Sequence, residues 1–248
     1  MTSSAITALI LWGGLALQAG IAAAMIWRRL YRTLPIFFSY TVFLVLRTIA
    51  LFYLRRMGAW PYFYGYWGSE VLTWALGLAV IQEAMQHLLA PYSAVQRLVL
   101  VLFRWGAGLL IAIALFTAYV APGSDLEHLL ANILVFERSV RIVQLGLLSL
   151  LFVFAGFLRL RWPHYVFGIA LGFGVFCSVE LVAVTMRTND IWSHSVFLIL
   201  KPLAFVVAQT LWLYYIAVPE RSPQDASERL PVPQMEGWDS ALSALLRQ

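Results

Sequence analysis

Seven long apolar segments, separated by short polar or proline-containing stretches, run through the first 218 residues of the chain. Each is long enough to cross a hydrocarbon core of about 30 Å as an α-helix that rises about 1.5 Å per residue. The pattern predicts an all-α integral membrane protein, a seven-transmembrane-helix bundle. The predicted spans are Ala5–Trp27, Leu34–Tyr53, Tyr66–Gln86, Leu98–Val120, Leu129–Leu158, Tyr165–Met186 and Ile191–Val218.

Composition supports lipid as the solvent of this chain. Hydrophobic residues make up 62% of the 248 residues and charged residues 12%, and the mean hydropathy is +0.81. A soluble domain carries about 25% charged residues. We therefore expect a multi-pass protein of the cell membrane, with residues 1–218 forming one transmembrane domain.

The placement of arginine predicts the orientation of the bundle. The loops after the first, third and fifth spans hold six arginines, against three in the loops after the second, fourth and sixth, and Arg221 and Arg229 of the tail add to the larger set. Arginine-rich loops face the cytoplasm, so we predict the N-terminus outside and the C-terminus inside. The Arg55–Arg56 pair opposes this assignment. The first apolar run precedes its positive charges, which is typical of a retained helix and not of a signal peptide.

Residues 219–248 are polar and proline-bearing, which predicts a flexible cytoplasmic tail. The tail ends in a short segment that predicts an amphipathic C-terminal helix, with Trp238, Leu242, Leu245 and Leu246 on one face. This helix would lie at the membrane interface or bind a protein partner, and a frayed terminus is the alternative. Because no kinase or nucleotide-binding region is present, a sensor of this kind would signal through a partner at its cytoplasmic face.

Besides Glu83 and Arg104 near the inner side, seven charged residues fall inside the predicted spans: Arg47, Glu70, Glu137, Arg138, Arg141, Glu180 and Lys201. They come from five spans, yet with the N-terminus outside all of them lie in the outer half or near the midplane. An unpaired charge at the centre of a membrane helix costs about 2.5–3.5 kcal/mol. These side chains must therefore pair with one another, line water, or do both.

Spacing suggests how these charges pair. Glu137 and Arg141 are four residues apart and share a helical face, whereas Arg138 projects about 100° away, toward Glu70 or Glu180 on neighbouring helices. The seven residues comprise four positive and three negative charges. A residual positive charge would favour a small anionic ligand in an outer pocket. An equally supported alternative is a network of salt bridges that fixes the packing of the bundle.

Lys201 is followed by Pro202 inside the seventh span. Proline frees the carbonyl four residues earlier and permits a hinge, and an ordinary packed kink is the simpler interpretation. A lysine in a seventh helix also suggests the Schiff-base lysine of rhodopsins. The aromatic and carboxylate patterns of rhodopsin helices are missing, so we expect no retinal and no other cofactor.

Three further features have simple structural interpretations. On the inner side, Glu83 faces the region of Arg104, which predicts an ion pair there, with a switch toward a cytoplasmic partner as the alternative. The second loop packs six aromatic residues between positions 60 and 67, typical of an interfacial aromatic belt; a lid over the outer pocket is the alternative. Gly168 and Gly172 have the spacing of close helix packing.

Several classes of function are disfavoured. Cys177 is the only cysteine, so disulfides within the chain and cysteine-based metal sites are excluded. The four histidines form no metal-binding pair on one helix, and no aspartate lies in a span core for a metal site or a Ser-His-Asp triad. We expect no catalytic residues and no enzyme activity. The net charge of +5 comes without a nucleic-acid-binding motif.

The sequence therefore favours a receptor-like or sensor-like protein that binds a small, anionic ligand in the outer half of the bundle. The first alternative is a small solute transporter, for which no clear internal repeat is visible. The second is a structural subunit of a larger membrane complex, with the glycine-rich sixth span and the amphipathic terminus as docking surfaces.

Overall fold

The computed structural model describes residues 2–90, 126–157, 164–188 and 194–218, together with residues 97, 101, 103–106, 108–109, 112, 160 and 162–163. Six α-helices and one 3-10 helix make up this part of the chain. The α-helices are α1 Thr2–Trp27, α2 Pro35–Met57, α3 Ala59–Leu89, α4 Leu126–Phe157, α5 His164–Thr188 and α6 His194–Ala217. The 3-10 helix, Leu30–Arg32, joins α1 to α2.

Four of these helices contain a segment long and apolar enough to cross a membrane: Pro35–Met57, Val135–Phe157, His164–Met186 and Leu200–Ala217. The prediction of a helical membrane protein is confirmed at this level. Most of the predicted span Leu98–Val120 lies outside the described residues, although the described positions between 101 and 112 are helical. The tail from residue 219 onward, with its predicted amphipathic helix, also lies outside them.

The aromatic segment between residues 60 and 67 is helical, so its prediction as a loop is wrong. Gly58 has a φ of 133°, which ends α2 and lets α3 begin at the next residue. Pro61 falls in the first turn of α3, where its missing N–H costs nothing because those amides have no intrahelical partner. The aromatic rings stack along this extended start of the helix, as in the pair Trp60–Tyr64.

The six helices close into a ring. Each helix packs against its neighbours in sequence, α1 also packs against α6, and α3 contacts α5. At the end of the bundle where α1 and α6 finish, Arg28 donates hydrogen bonds to the carbonyl oxygens of Ile216 and, at 3.1 Å, Val218. Cationic caps of this kind satisfy carbonyls at a helix C-terminus. Arg28 therefore ties the first helix to the last.

The closest helix contact joins α5 and α6 through glycine. A Cβ atom at Gly168 would collide with Tyr215, and one at Gly172 would collide with the indole of Trp212. The Trp212 Nε1–H donates a 3.2 Å hydrogen bond to the carbonyl oxygen of Ile169. The close packing predicted from the glycine spacing is present, and it lies within the chain. These two glycines are therefore not free to dock another subunit.

The rest of this half of the bundle is an aromatic core. Trp212 is 1% exposed and meets the rings of Phe37, Tyr40 and Phe173 at centroid distances of 5.4, 6.2 and 4.9 Å. Aliphatic side chains from α1, α3 and α4 surround these rings. Aromatic pairs at such distances stabilise a core beyond the area that they bury.

Candidate functional site

Five helices bring charged side chains together in the half of the bundle where α2 and α5 end and α3, α4 and α6 begin. Each charged residue lies about two to three turns from that end of its helix, except Arg141, which lies about four turns from the start of α4. The structure places six of the seven predicted residues in one cluster, which we call the ion network: Arg47, Glu70, Glu137, Arg141, Glu180 and Lys201.

Lys201 lies at the centre of the ion network. Its Nζ is 3.3 Å from Glu70 Oε1, 3.2 Å from Glu137 Oε1 and 2.9 Å from Glu180 Oε1. The three carboxylates come from α3, α4 and α5, and each side chain is no more than 6% exposed. One ammonium group on α6 thus holds three neighbouring helices in register.

Arg47 extends the ion network on the α2 side. It forms an ion pair with Glu70, and its Nε donates a 3.0 Å hydrogen bond to Ser69 Oγ. Its guanidinium also lies 5.6 Å from the centroid of the Tyr66 ring. The guanidinium is therefore paired with a carboxylate, while the Arg47 side chain as a whole remains 17% exposed.

Arg141 extends the ion network on the α5 side. It forms an ion pair with Glu180, and its Nη1 donates a 2.8 Å hydrogen bond to Gln144 Oε1. Cys177 Sγ lies 3.4 Å from the same amide oxygen. Among the described residues, the oxygens of Glu180 take part in ion pairs with no aligned hydrogen bond. Charge, more than hydrogen-bond geometry, holds this buried carboxylate.

Arg138 is not part of the ion network. It is exposed, and no ion pair joins it to a described carboxylate. The predicted pairing of Arg138 with Glu70 or Glu180 is therefore wrong, because Arg47, Arg141 and Lys201 occupy those carboxylates. The predicted Glu137–Arg141 pair is also replaced, since Glu137 reaches Lys201 instead. The ion network contains three positive and three negative groups, so it has no residual positive charge.

A cavity of about 290 Å³ adjoins the ion network between α1, α2, α3 and α6. Arg47 lines it together with Arg55, and the part of the chain that the structure describes contributes no carboxylate to its lining. The remaining lining residues are Gln18, Leu44, Thr48, Leu51, Phe52, Tyr62, Tyr66 and Phe205. Two arginines thus line a cavity beside the ion network, whereas the ion network itself contains equal numbers of positive and negative groups.

Sequence reasoning missed two polar residues of this cavity, Gln18 and Arg55. Arg55 was assigned only a topogenic role, although Arg47, Leu51 and Arg55 follow one another at four-residue spacing on one face of α2. Gln18 is a single amide in an otherwise apolar first span and is 5% exposed. A polar residue at that depth was the available signal.

Glu83 has a structural role at the opposite end of the bundle, and its predicted ion pair with Arg104 is wrong. Its Oε1 and Oε2 accept hydrogen bonds of 2.9 and 2.8 Å from the backbone N–H groups of Ile36 and Phe37. These amides belong to the first turn of α2, where they have no intrahelical partner. A carboxylate there also interacts favourably with the helix dipole. Glu83 therefore caps α2 from the neighbouring helix.

The described residues contain no group of three or more His, Cys, Asp or Glu side chains arranged to hold a metal ion. The three carboxylates that converge in the ion network face the ammonium group of Lys201 at their centre. These carboxylates are therefore engaged by Lys201 in the described structure.

Comparisons with protein-family models, with curated protein sequences and with solved structures find no match for this chain. A proposal for its function therefore rests on the ion network and the cavity beside it.

Proposed function

We propose that this protein is a receptor-like membrane sensor that binds a small anionic ligand in the cavity between α1, α2, α3 and α6. The observation that carries the proposal is the charge of the cavity: among the described residues, two arginines line it and no carboxylate does. Its volume of about 290 Å³ is at the small end of the 300–1,000 Å³ that is usual for ligand pockets.

Arg47 would connect ligand binding to the rest of the bundle. Arg47 lines the cavity and also forms an ion pair with Glu70, which is in turn bound to Lys201. An anion that approaches Arg47 competes with Glu70 for the same positive charge. A change at this contact would pass through Lys201 to α4, α5 and α6, the helices that Lys201 holds together.

The proposed orientation gives the cavity an outward position. If the chain has seven spans with the N-terminus outside, as the arginine distribution predicts, the ends of α2 and α5 face the exterior. Ligand would then enter from outside. The response would reach a protein partner on the cytoplasmic face or through the C-terminal tail.

A small solute transporter is the second candidate, and Pro202 favours it. This proline lies inside α6 directly after Lys201, the residue that contacts three other helices. A proline kink at such a point can act as a hinge for alternating exposure of a site. Uptake separates the two candidates: a transporter accumulates its ligand in proteoliposomes, whereas a sensor binds ligand without net uptake.

A cavity-filling substitution tests the proposal. The protein is purified into lipid nanodiscs, and its thermal stability is measured with a panel of small organic and inorganic anions. We expect at least one anion to raise the unfolding temperature of the wild type. Leu51→Trp should abolish this shift because Leu51 lines the cavity.

The matched control is Leu46→Trp, on the same helix at a position that is 60% exposed and outside the cavity. It should keep the ligand-induced shift. If every anion leaves the wild type unchanged, or if both variants respond like the wild type, the cavity is not the binding site.

A further inference from the structure

We infer that the ligand of the cavity is a monoanionic carboxylate with an apolar body, such as a short alkyl or aromatic acid. This inference rests on the proposed function and specifies the chemical class that the site would accept. Inorganic phosphate, dicarboxylates and neutral apolar molecules are the competing classes.

The charge of the ligand follows from the states of the two lining arginines. Arg47 is already paired with Glu70. Arg55 is exposed and forms no ion pair with any described carboxylate. The cavity therefore offers one positive charge that is not compensated by the protein. One negative charge balances it, whereas a second would meet no uncompensated positive charge among the described lining residues.

The apolar residues that line the cavity indicate that the body of the ligand is apolar. Leu44, Leu51, Phe52 and Phe205 give the cavity an aliphatic and aromatic surface, and the rings of two tyrosines add to it. An alkyl chain or aromatic ring gains free energy by contact with such walls. A hydrated inorganic ion would lose its water there without an equivalent set of hydrogen bonds.

Gln18 shows that the cavity presents polar groups in addition to these walls. It lines the cavity, is 5% exposed, and its Oε1 has no hydrogen-bond partner among the described residues. A buried acceptor left without a donor is unfavourable, so a hydroxyl or N–H group on the body of a ligand would be stabilised there, whereas its carboxylate would not.

Two neighbouring arginines on α2 provide a matched test. Arg55 lines the cavity, whereas Arg56 lies outside it with its guanidinium 4.5 Å from the ring centroid of Phe52. Binding of hexanoate, hexanol, succinate and inorganic phosphate is measured by calorimetry with the protein in phosphatidylcholine nanodiscs. We expect hexanoate to bind the wild type and R56Q with equal affinity. It should bind R55Q about tenfold more weakly, because that variant loses one charge-assisted contact. Hexanol should bind all three proteins equally weakly.

The outcomes separate this inference from the proposed function. If succinate or phosphate binds more tightly than hexanoate, the cavity takes anions but the class inferred here is wrong. If hexanol binds as tightly as hexanoate, or if R55Q and R56Q lose affinity equally, the carboxylate is not recognised by Arg55. If phosphatidylglycerol in the nanodiscs abolishes hexanoate binding, the natural anion is a lipid headgroup and not a free acid. If no anion binds, both proposals fail.

Discussion

Where α2 and α5 end, five helices present charged side chains to one another, whereas in the opposite half the same helices meet through aromatic rings and glycine. In the first region, which we call the ionic half, Lys201 joins carboxylates from three helices. In the second, the aromatic half, Trp212 packs on Gly172 and among three other rings. The cavity adjoins the ionic half.

The difference between the halves concerns what fixes the distance between helices. In the aromatic half, shape fixes it, because a Cβ atom at Gly172 has no room beside Trp212. In the ionic half, long side chains bridge the helices, and their charges can exchange partners without a change in packed volume. A ligand-responsive element is therefore expected in the ionic half, with the aromatic half as its rigid base.

The largest effect is expected from breaking a buried charge pair in the ionic half. Glu180→Leu leaves the Arg141 side chain, 3% exposed, without its ion-pair partner. Removing one member of a buried pair costs about 3–5 kcal/mol because the remaining charge stays desolvated. The free energy of unfolding, measured by denaturant titration in mixed micelles, should fall by this amount.

The double variant Arg141→Met, Glu180→Leu is the control for this prediction. It removes both charges and keeps apolar volume, so most of the lost stability should return. Lys201 would still hold Glu70 and Glu137. Equal losses in the single and double variants would mean that packing, and not charge pairing, determines the stability of the ionic half.

A smaller effect is expected from adding volume to the aromatic half. Gly172→Leu forces a side chain against the indole of Trp212 and should cost about 1–3 kcal/mol, the usual range for overpacking. Gly174→Leu is the matched control: it lies on the same helix, and no atom lies within 4 Å of its Cβ position. That variant should stay within about 0.5 kcal/mol of the wild type. Similar losses in both variants would show that leucine disturbs α5 itself and that the Trp212 contact is not special.

The convergence of the ion network could be predicted because the depth of a residue in a membrane helix follows from its distance to the helix end. The direction in which each side chain projects around its helix was harder to predict. Arg138 has the same depth as Glu137, but it lies off the buried stripe of α4, which contains Val140, Arg141 and Gln144. That stripe could have been identified from the helical period, and the pairing of Arg138 would then not have been expected.

Two other features, the partners of Glu83 and the cavity, could not be predicted from the depth or the helical face of a residue. Glu83 was paired with Arg104 because their charges are opposite. Its actual partners are the backbone N–H groups of Ile36 and Phe37, and every residue except proline carries such a group, so the sequence does not single them out. The cavity arises where side chains from four separate helices fail to fill the space between them. No single apolar segment predicts such a volume, although each of the four helices contributes lining residues.

The smallest of these effects concerns Glu83, a buried charge in the half of the bundle that otherwise depends on packing. Glu83→Gln keeps one oxygen acceptor for the first turn of α2 but removes the charge and the second acceptor. The loss should be about 1 kcal/mol, as for other helix caps, and hydrogen exchange of the Ile36 and Phe37 amides should accelerate. Gln82→Ala, a half-buried position beside it, is the control and should leave this exchange unchanged. Unaltered exchange in Glu83→Gln would show that α2 does not depend on this cap.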